Sequence, residues 1–144
     1  MPTQGKGTYE VTGWDEEPYE EKPGEPKLTK AHINSTFSGD IEGDGSAEYL
    51  MAYPSETFAS FVGLHRVSGR VAGRQGSFVL QAAGTFENGV AKASWFVVPG
   101  SGTGELSGLQ GSGGYVARSG TTCDVTLDFD FPDSRAAVRN GPRV

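Results

Sequence analysis

The sequence predicts an all-β protein, a single eight-stranded antiparallel up-and-down β-barrel. Three observations carry that expectation. Apolar side chains recur with period two, most clearly where Cys123, Val125, Leu127, Phe129 and Phe131 alternate with Thr122, Asp124, Thr126, Asp128 and Asp130. Glycine is abundant, 22 of 144 residues, and it bounds short β runs. Three Ser-Gly strings, opening at Ser38-Gly39, Ser68-Gly69 and Ser107-Gly108, stand between runs and suit hairpin connections with positive φ. A meander of this length removes its exposed edges by closing on itself.

The elements follow in order. Strand one is 7–14, around Tyr9-Glu10-Val11-Thr12 and Trp14. Residues 15–26, acidic and containing prolines, read as a long connection. Strand two is 28–38, ending at Phe37-Ser38, and strand three is 45–53, with Ala47-Glu48-Tyr49-Leu50-Met51-Ala52-Tyr53 at its centre. Strand four is 57–68, strand five 76–86 and strand six 90–98. Strand seven is read as 103–107 with 113–118, and strand eight as 122–131. The barrel domain is therefore 1–131. The tail 132–144 carries Arg135, Arg139 and Arg143 without an apolar pattern and is expected to be flexible.

Composition removes several classes. No apolar stretch approaches a membrane span, and a lone cysteine, Cys123, allows no internal disulfide. The net charge is -6, and residues 1–26 hold most of it, seven acids against two lysines. An acidic chain is a poor partner for nucleic acid or an anionic membrane. The N-terminus lacks the apolar run of a signal peptide, so a cytoplasmic location is expected. No phosphate-loop ending, dinucleotide fingerprint or nucleophile elbow occurs. The histidines, His32 and His65, stand far apart without the ligands a zinc site needs, so neither metal nor cofactor is expected. Cys123 reads as a small core residue.

Polar residues embedded in apolar runs are the candidates for chemistry: Glu10, Glu48, His65 and Gln81. A carboxylate buried without partners titrates nearer neutrality and can move protons. Period two alone does not say which face of each strand points inward.

Phe37-Ser38-Gly39-Asp40-Ile41-Glu42-Gly43, the Ala47–Tyr53 run, Ser60-Phe61-Val62-Gly63-Leu64, Gly73–Gln81 and Val97–Leu106 together resemble a bacterial family, domain of unknown function 3224. The resemblance covers about residues 7–131. It implies a place among the allene oxide cyclase-like barrels, which are closed, usually oligomeric and built around a mostly apolar pocket. Tyr9-Glu10-Val11-Thr12 is similar to the cyclase's first strand, with Glu10 at its pocket glutamate and Thr12 in place of an asparagine. Asn34 falls at the spacing of a second pocket asparagine, and Leu50 replaces a pocket cysteine. His65 stands where the family is associated with glutamate. These matches imply that Glu10, Thr12 and Trp14 point inward, with His32, Asn34 and Thr36 and then Glu48, Leu50 and Ala52. Strands four and five are set inward through His65 and Gln81.

The resulting expectation is a cofactor-free cyclase or isomerase acting on an apolar small molecule, in a homo-oligomer. Glu10, Glu48 and His65 are its catalytic candidates, and Trp14, Asn34, Tyr53 and Gln81 bind substrate. The alternatives are a non-catalytic barrel that binds an apolar ligand, and a solidly packed barrel with an assembly role.

Overall fold

The computed structural model describes residues 3–117 and 122–131. Eight antiparallel strands form a closed barrel in sequence order: β1 (Thr3–Glu20), β2 (Lys27–Gly39), β3 (Ile41–Ser55), β4 (Phe58–Val71), β5 (Arg74–Glu87), β6 (Val90–Val97), β7 (Gln110–Ala117) and β8 (Thr122–Asp130). β1 closes on β8, from Thr3 opposite Phe129 to Glu10 opposite Thr122. The all-β, eight-stranded antiparallel barrel expected from the sequence is the fold observed.

Two elements differ from expectation. Residues 103–107 are no part of a strand. The β6–β7 connection instead makes a 3-10 turn at Gly104–Leu106 and drops Leu106 and Leu109 into the barrel end, where both are fully buried. The acidic connection is also shorter than read. Asp15–Glu20 continue β1, paired with β2 as far as Glu20 opposite Leu28. Alternation puts Asp15 and Glu17 on the exposed outer face of the sheet, while Glu16 between them turns to the other side and is partly buried. The tail at 132–144 lies outside the described residues.

The strands are unequal, and that shapes the ends. β1 to β5 run 13 to 18 residues, whereas β6 to β8 run 8 or 9. At one end, the Leu106–Leu109 segment and the inward side chains Ile41, Val71, Phe78 and Phe129 close the barrel, all nearly inaccessible. At the other end the β1–β2 ribbon stands above the short wall of β6 to β8. That end is open.

Inward residues follow period two: Tyr9 from β1, Ile33 and Phe37 from β2, Tyr49 and Met51 from β3, Phe61 and His65 from β4, Leu80 and Ala82 from β5, Trp95 and Val97 from β6, and Val125 and Leu127 from β8. β1 changes phase midway. Val11 opposes Ser35 and Gly13 opposes Asn34, so Thr12 is an extra residue, a β-bulge. Before it the odd residues face in; after it, the even ones.

Candidate functional site: a pocket at the open end

Small side chains leave space inside the open end. Ala91, Ala117 and Cys123 line the short wall, while Tyr9, Ile33, Tyr49, Met51 and Phe61 line the tall one. Between them lies a cavity of about 320 Å³. This is at the small end of ligand pockets, which run from about 300 to 1,000 Å³. Trp14 and Phe86 complete its rim, and both are substantially exposed. A larger hollow of about 630 Å³ on the outer wall of β5 to β8 is shallow and open, so it encloses nothing.

Three phenols, of Tyr9, Tyr49 and Tyr115, and the Cys123 thiol converge on this cavity. Tyr9 stacks on Tyr115 with ring centroids 5.7 Å apart. Tyr49 packs against Phe61 at 5.3 Å. The Tyr49 ring fits because Gly63 lies opposite it on β4; a Cβ there would come 2.3 Å from Tyr49 Cδ1. Burial raises all four pKa values. Tyr49 is pushed up to about 12, although Tyr115 is placed to donate to a Tyr49 phenolate. Burial carries Tyr9 and Tyr115 further up, with neighbouring Tyr49 adding to both. Cys123 rises to about 11 through burial and the nearby Asp124. Every polar group in the wall is therefore neutral near pH 7. No Asp, Glu, Lys or Arg lines the cavity among the described residues.

Below Tyr9 lies His65, fully buried. Its ring is caged by Tyr9 at 5.6 Å, Phe37 at 5.3 Å and Trp95 at 6.2 Å. His65 Nε2 shares a 3.2 Å hydrogen bond with Ser35 Oγ, and Nδ1 has no partner. Gly45 makes the space: a Cβ there would lie 2.5 Å from both His65 Nε2 and Ser35 Oγ. Burial pulls the His65 pKa down to about 4, because a dry apolar cage disfavours imidazolium.

Above the rim, Glu16 organises the mouth. Its carboxylate accepts hydrogen bonds from Trp14 Nε1 (3.0 Å), Thr29 Oγ1 (2.6 Å) and Tyr53 Oη (2.5 Å). Partial burial pushes its pKa up. The three donors, with Lys27 nearby, outweigh that and hold it below the usual carboxylate value. Tyr53 responds oppositely and rises to about 12, through burial and then the Glu16 carboxylate.

The structure brings together only part of the expected set. His65 faces inward, as set for strand four. Trp14 lies on the inner side at the rim, because the Thr12 bulge shifts the phase. Tyr53 is half-buried at the mouth. The inward assignment of the others is corrected by the register. Glu10, Asn34, Glu48 and Gln81 are exposed, and their inner-face neighbours are Tyr9, Ile33, Tyr49 and Ala82. Thr12 and Leu50 are also exposed, and His32, Thr36 and Ala52 share the outer face. Glu48 accepts from or pairs with His32 at 3.1 Å on that outer wall, not in the pocket. Sequence reasoning passed over Tyr9, Tyr49, Tyr115 and Glu16. One signal was present: Tyr9-x-Val11, Ile33-x-x-x-Phe37 and Tyr49-x-Met51 make the more apolar phase of each strand. Among the described residues, no three of His, Cys, Asp or Glu gather as metal ligands, and no helix is long and apolar enough to cross a membrane.

Comparison with known proteins shows a family and similarity to a solved structure from it. A family model described as "Protein of unknown function (DUF3224)" matches residues 5–129. A crystal structure of a protein with unknown function from the DUF3224 family of Shewanella oneidensis MR-1 is similar, at 30% identity and a TM-score of 0.79. The alignment covers 92% of this chain and 100% of that one. No curated protein matches.

Proposed function

This chain belongs to the DUF3224 family of proteins of unknown function, and we propose that its barrel is a binding module for an apolar small molecule. One observation carries the reading: a largely apolar cavity of about 320 Å³ opens at one barrel end, under a rim formed by Trp14 and Phe86. Solid packing fills the opposite end, so the space is local to the mouth. Ligand pockets combine such apolar walls with a few convergent polar groups.

The test pairs mass spectrometry of small molecules released from the purified protein with thermal shifts against a panel of apolar metabolites. A retained compound, or a melting temperature that rises with ligand concentration, is the expected result. Ala91→Phe, which fills the cavity from the short wall, should abolish the shift while lowering stability by less than about 1 kcal/mol. Shifts that survive Ala91→Phe unchanged would move binding elsewhere. No shift across the panel would leave the barrel an assembly element.

A cyclase or isomerase of allene oxide cyclase type is the second reading, favoured by the convergence of three phenols over an apolar well. Such a well folds a flexible substrate into a reactive conformer, and neutral donors stabilise charge developing on oxygen. In this reading the phenols take the polarising role assigned to Glu10 and Glu48, whose carboxylates point outward. His65 acts only through Tyr9, from behind the wall. Turnover of a bound compound, lost in Tyr115→Phe with binding retained, distinguishes it from simple binding.

A further inference from the structure

We infer that Glu16 is a positioning residue of the pocket: its carboxylate holds the Trp14 indole as part of the cavity wall and so sets how long a bound apolar molecule stays. The inference rests on the reading of the cavity as a ligand site and names the contact that governs release from it.

The β-bulge at Thr12 brings both residues to the inner side of β1. Without the extra residue, Trp14 and Glu16 would continue the outward phase of Glu10. Bulges commonly re-aim a side chain beside a functional site. Here the bulge breaks the β1–β2 ladder between Val11 and Gly13 and turns a large aromatic to the cavity rim, where Trp14 is a lining residue. Trp14 is also 53% exposed, so packing holds only part of its ring. Exposed side chains change rotamer freely unless a specific contact holds them.

The two carboxylate oxygens of Glu16 have different tasks. Oε2 accepts from Thr29 Oγ1 at 2.6 Å and from Tyr53 Oη at 2.5 Å. Thr29 is buried on β2. Tyr53, on β3, also reaches the sulfur of the cavity residue Met51 at 3.8 Å, and Lys27 lies over its ring, 5.1 Å from the centroid. Oε2 is therefore anchored to two neighbouring strands. Oε1 accepts from Trp14 Nε1 at 3.0 Å. Hydrogen bonds to an ionised acceptor are about twice as strong as neutral ones, and Glu16 is ionised at neutral pH, held below the usual carboxylate value. The indole is thus tied through one fixed carboxylate to β2 and β3. The bond joins residues two apart on one strand, so it ties down the ring rather than the fold. Phe86, the other rim residue, has no polar atom by which to be held.

The experiment uses two neutral fluorescent probes, naphthalene and the larger dye Prodan, on the full chain. Affinity is measured by titration and the dissociation rate by stopped-flow dilution. Glu16→Ala should speed dissociation about three- to tenfold, the worth of one hydrogen bond, and weaken binding in proportion. Glu16→Gln, which keeps a carbonyl oxygen to accept from the indole, should restore most of the slow release. Trp14→Phe removes the N–H and should release the probe about as fast as Glu16→Ala. Adding Glu16→Ala to Trp14→Phe should then change the rate no further, because both act on one contact. An unchanged rate in Glu16→Ala overturns the assignment and leaves the pocket standing. So does a Glu16→Ala effect that persists in full in the Trp14→Phe background, which would mean a general loosening of the mouth. Failure of both probes to bind the unaltered chain overturns the pocket reading and the assignment together. Should Glu16→Ala fold poorly, Trp14→Phe alone decides: an unchanged dissociation rate overturns the assignment.

Discussion

The two ends of this barrel are made from the same strands and behave as different materials. Phe78 and Phe86 sit on the same inner face of β5, eight residues apart. Phe78 is 1% exposed beneath the Leu106–Leu109 plug, whereas Phe86 is 41% exposed on the pocket rim. At the closed end the β6–β7 connection returns across the opening and fills it. At the open end β6 to β8 are short and carry Ala91, Ala117 and Cys123, so the wall is thin and space remains. The difference teaches that a small barrel need not be uniformly packed or uniformly hollow. One end supplies the stability that lets the other stay unfilled.

The strongest way to break the comparison is to truncate both phenylalanines. Phe78→Ala should cost about 3–5 kcal/mol in urea unfolding, as large core truncations do. Phe86→Ala should cost less than about 1 kcal/mol. Similar costs at both sites would show that the open end is structurally as demanding as the closed one.

His65 lies between the two regions and predicts a pH dependence. Its folded pKa of about 4 lies below the ordinary 6.5. Between those values the unfolded chain binds the proton and the folded chain does not, so stability rises with pH in that window. The stability is complete above pH 6.5 and falls as pH drops toward 4, by about 3 kcal/mol in all. In chemical denaturation across that range, His65→Gln should show a flatter slope than the unaltered protein. Parallel slopes would mean the imidazole is not held in a dry cage.

The smallest expected effect sharpens the mouth. Glu16→Gln should cost less than about 1 kcal/mol at neutral pH, because the carboxylate is only partly buried. The indole N–H resonance of Trp14, which donates to Glu16, should shift. That of Trp95, which donates to the Thr126 carbonyl at 3.0 Å, should stay. Movement of both would show that the rim and the core are coupled.

Much of the barrel was legible in the sequence, and the site was legible only in fragments. The Cys123–Phe131 alternation and the glycine-bounded runs identify strands because both reflect local backbone geometry. The 103–107 segment misled because its spacing is compatible with a strand, while Leu106 and Leu109 are drawn into the barrel end by burial. Glu10 and Glu48 stood out as polar residues in apolar runs, yet their outward direction is what lets a carboxylate sit in a strand without losing its water. Trp14 reached the pocket side through the extra residue at Thr12, a phase change with no signature in the alternation.

By itself, then, the sequence determined the all-β class, the antiparallel meander, the lone thiol and the concentration of acid near the N-terminus. These follow from period, composition and turn chemistry, which act between near neighbours. Tertiary structure decided which face of each strand points inward, where the phase slips, which end is plugged and which phenols meet. Those depend on closing β1 against β8 and on the unequal heights of the two walls. Both are contacts between residues distant along the chain, and local pattern reaches them only through the more apolar phase of strands such as β1, β2 and β3.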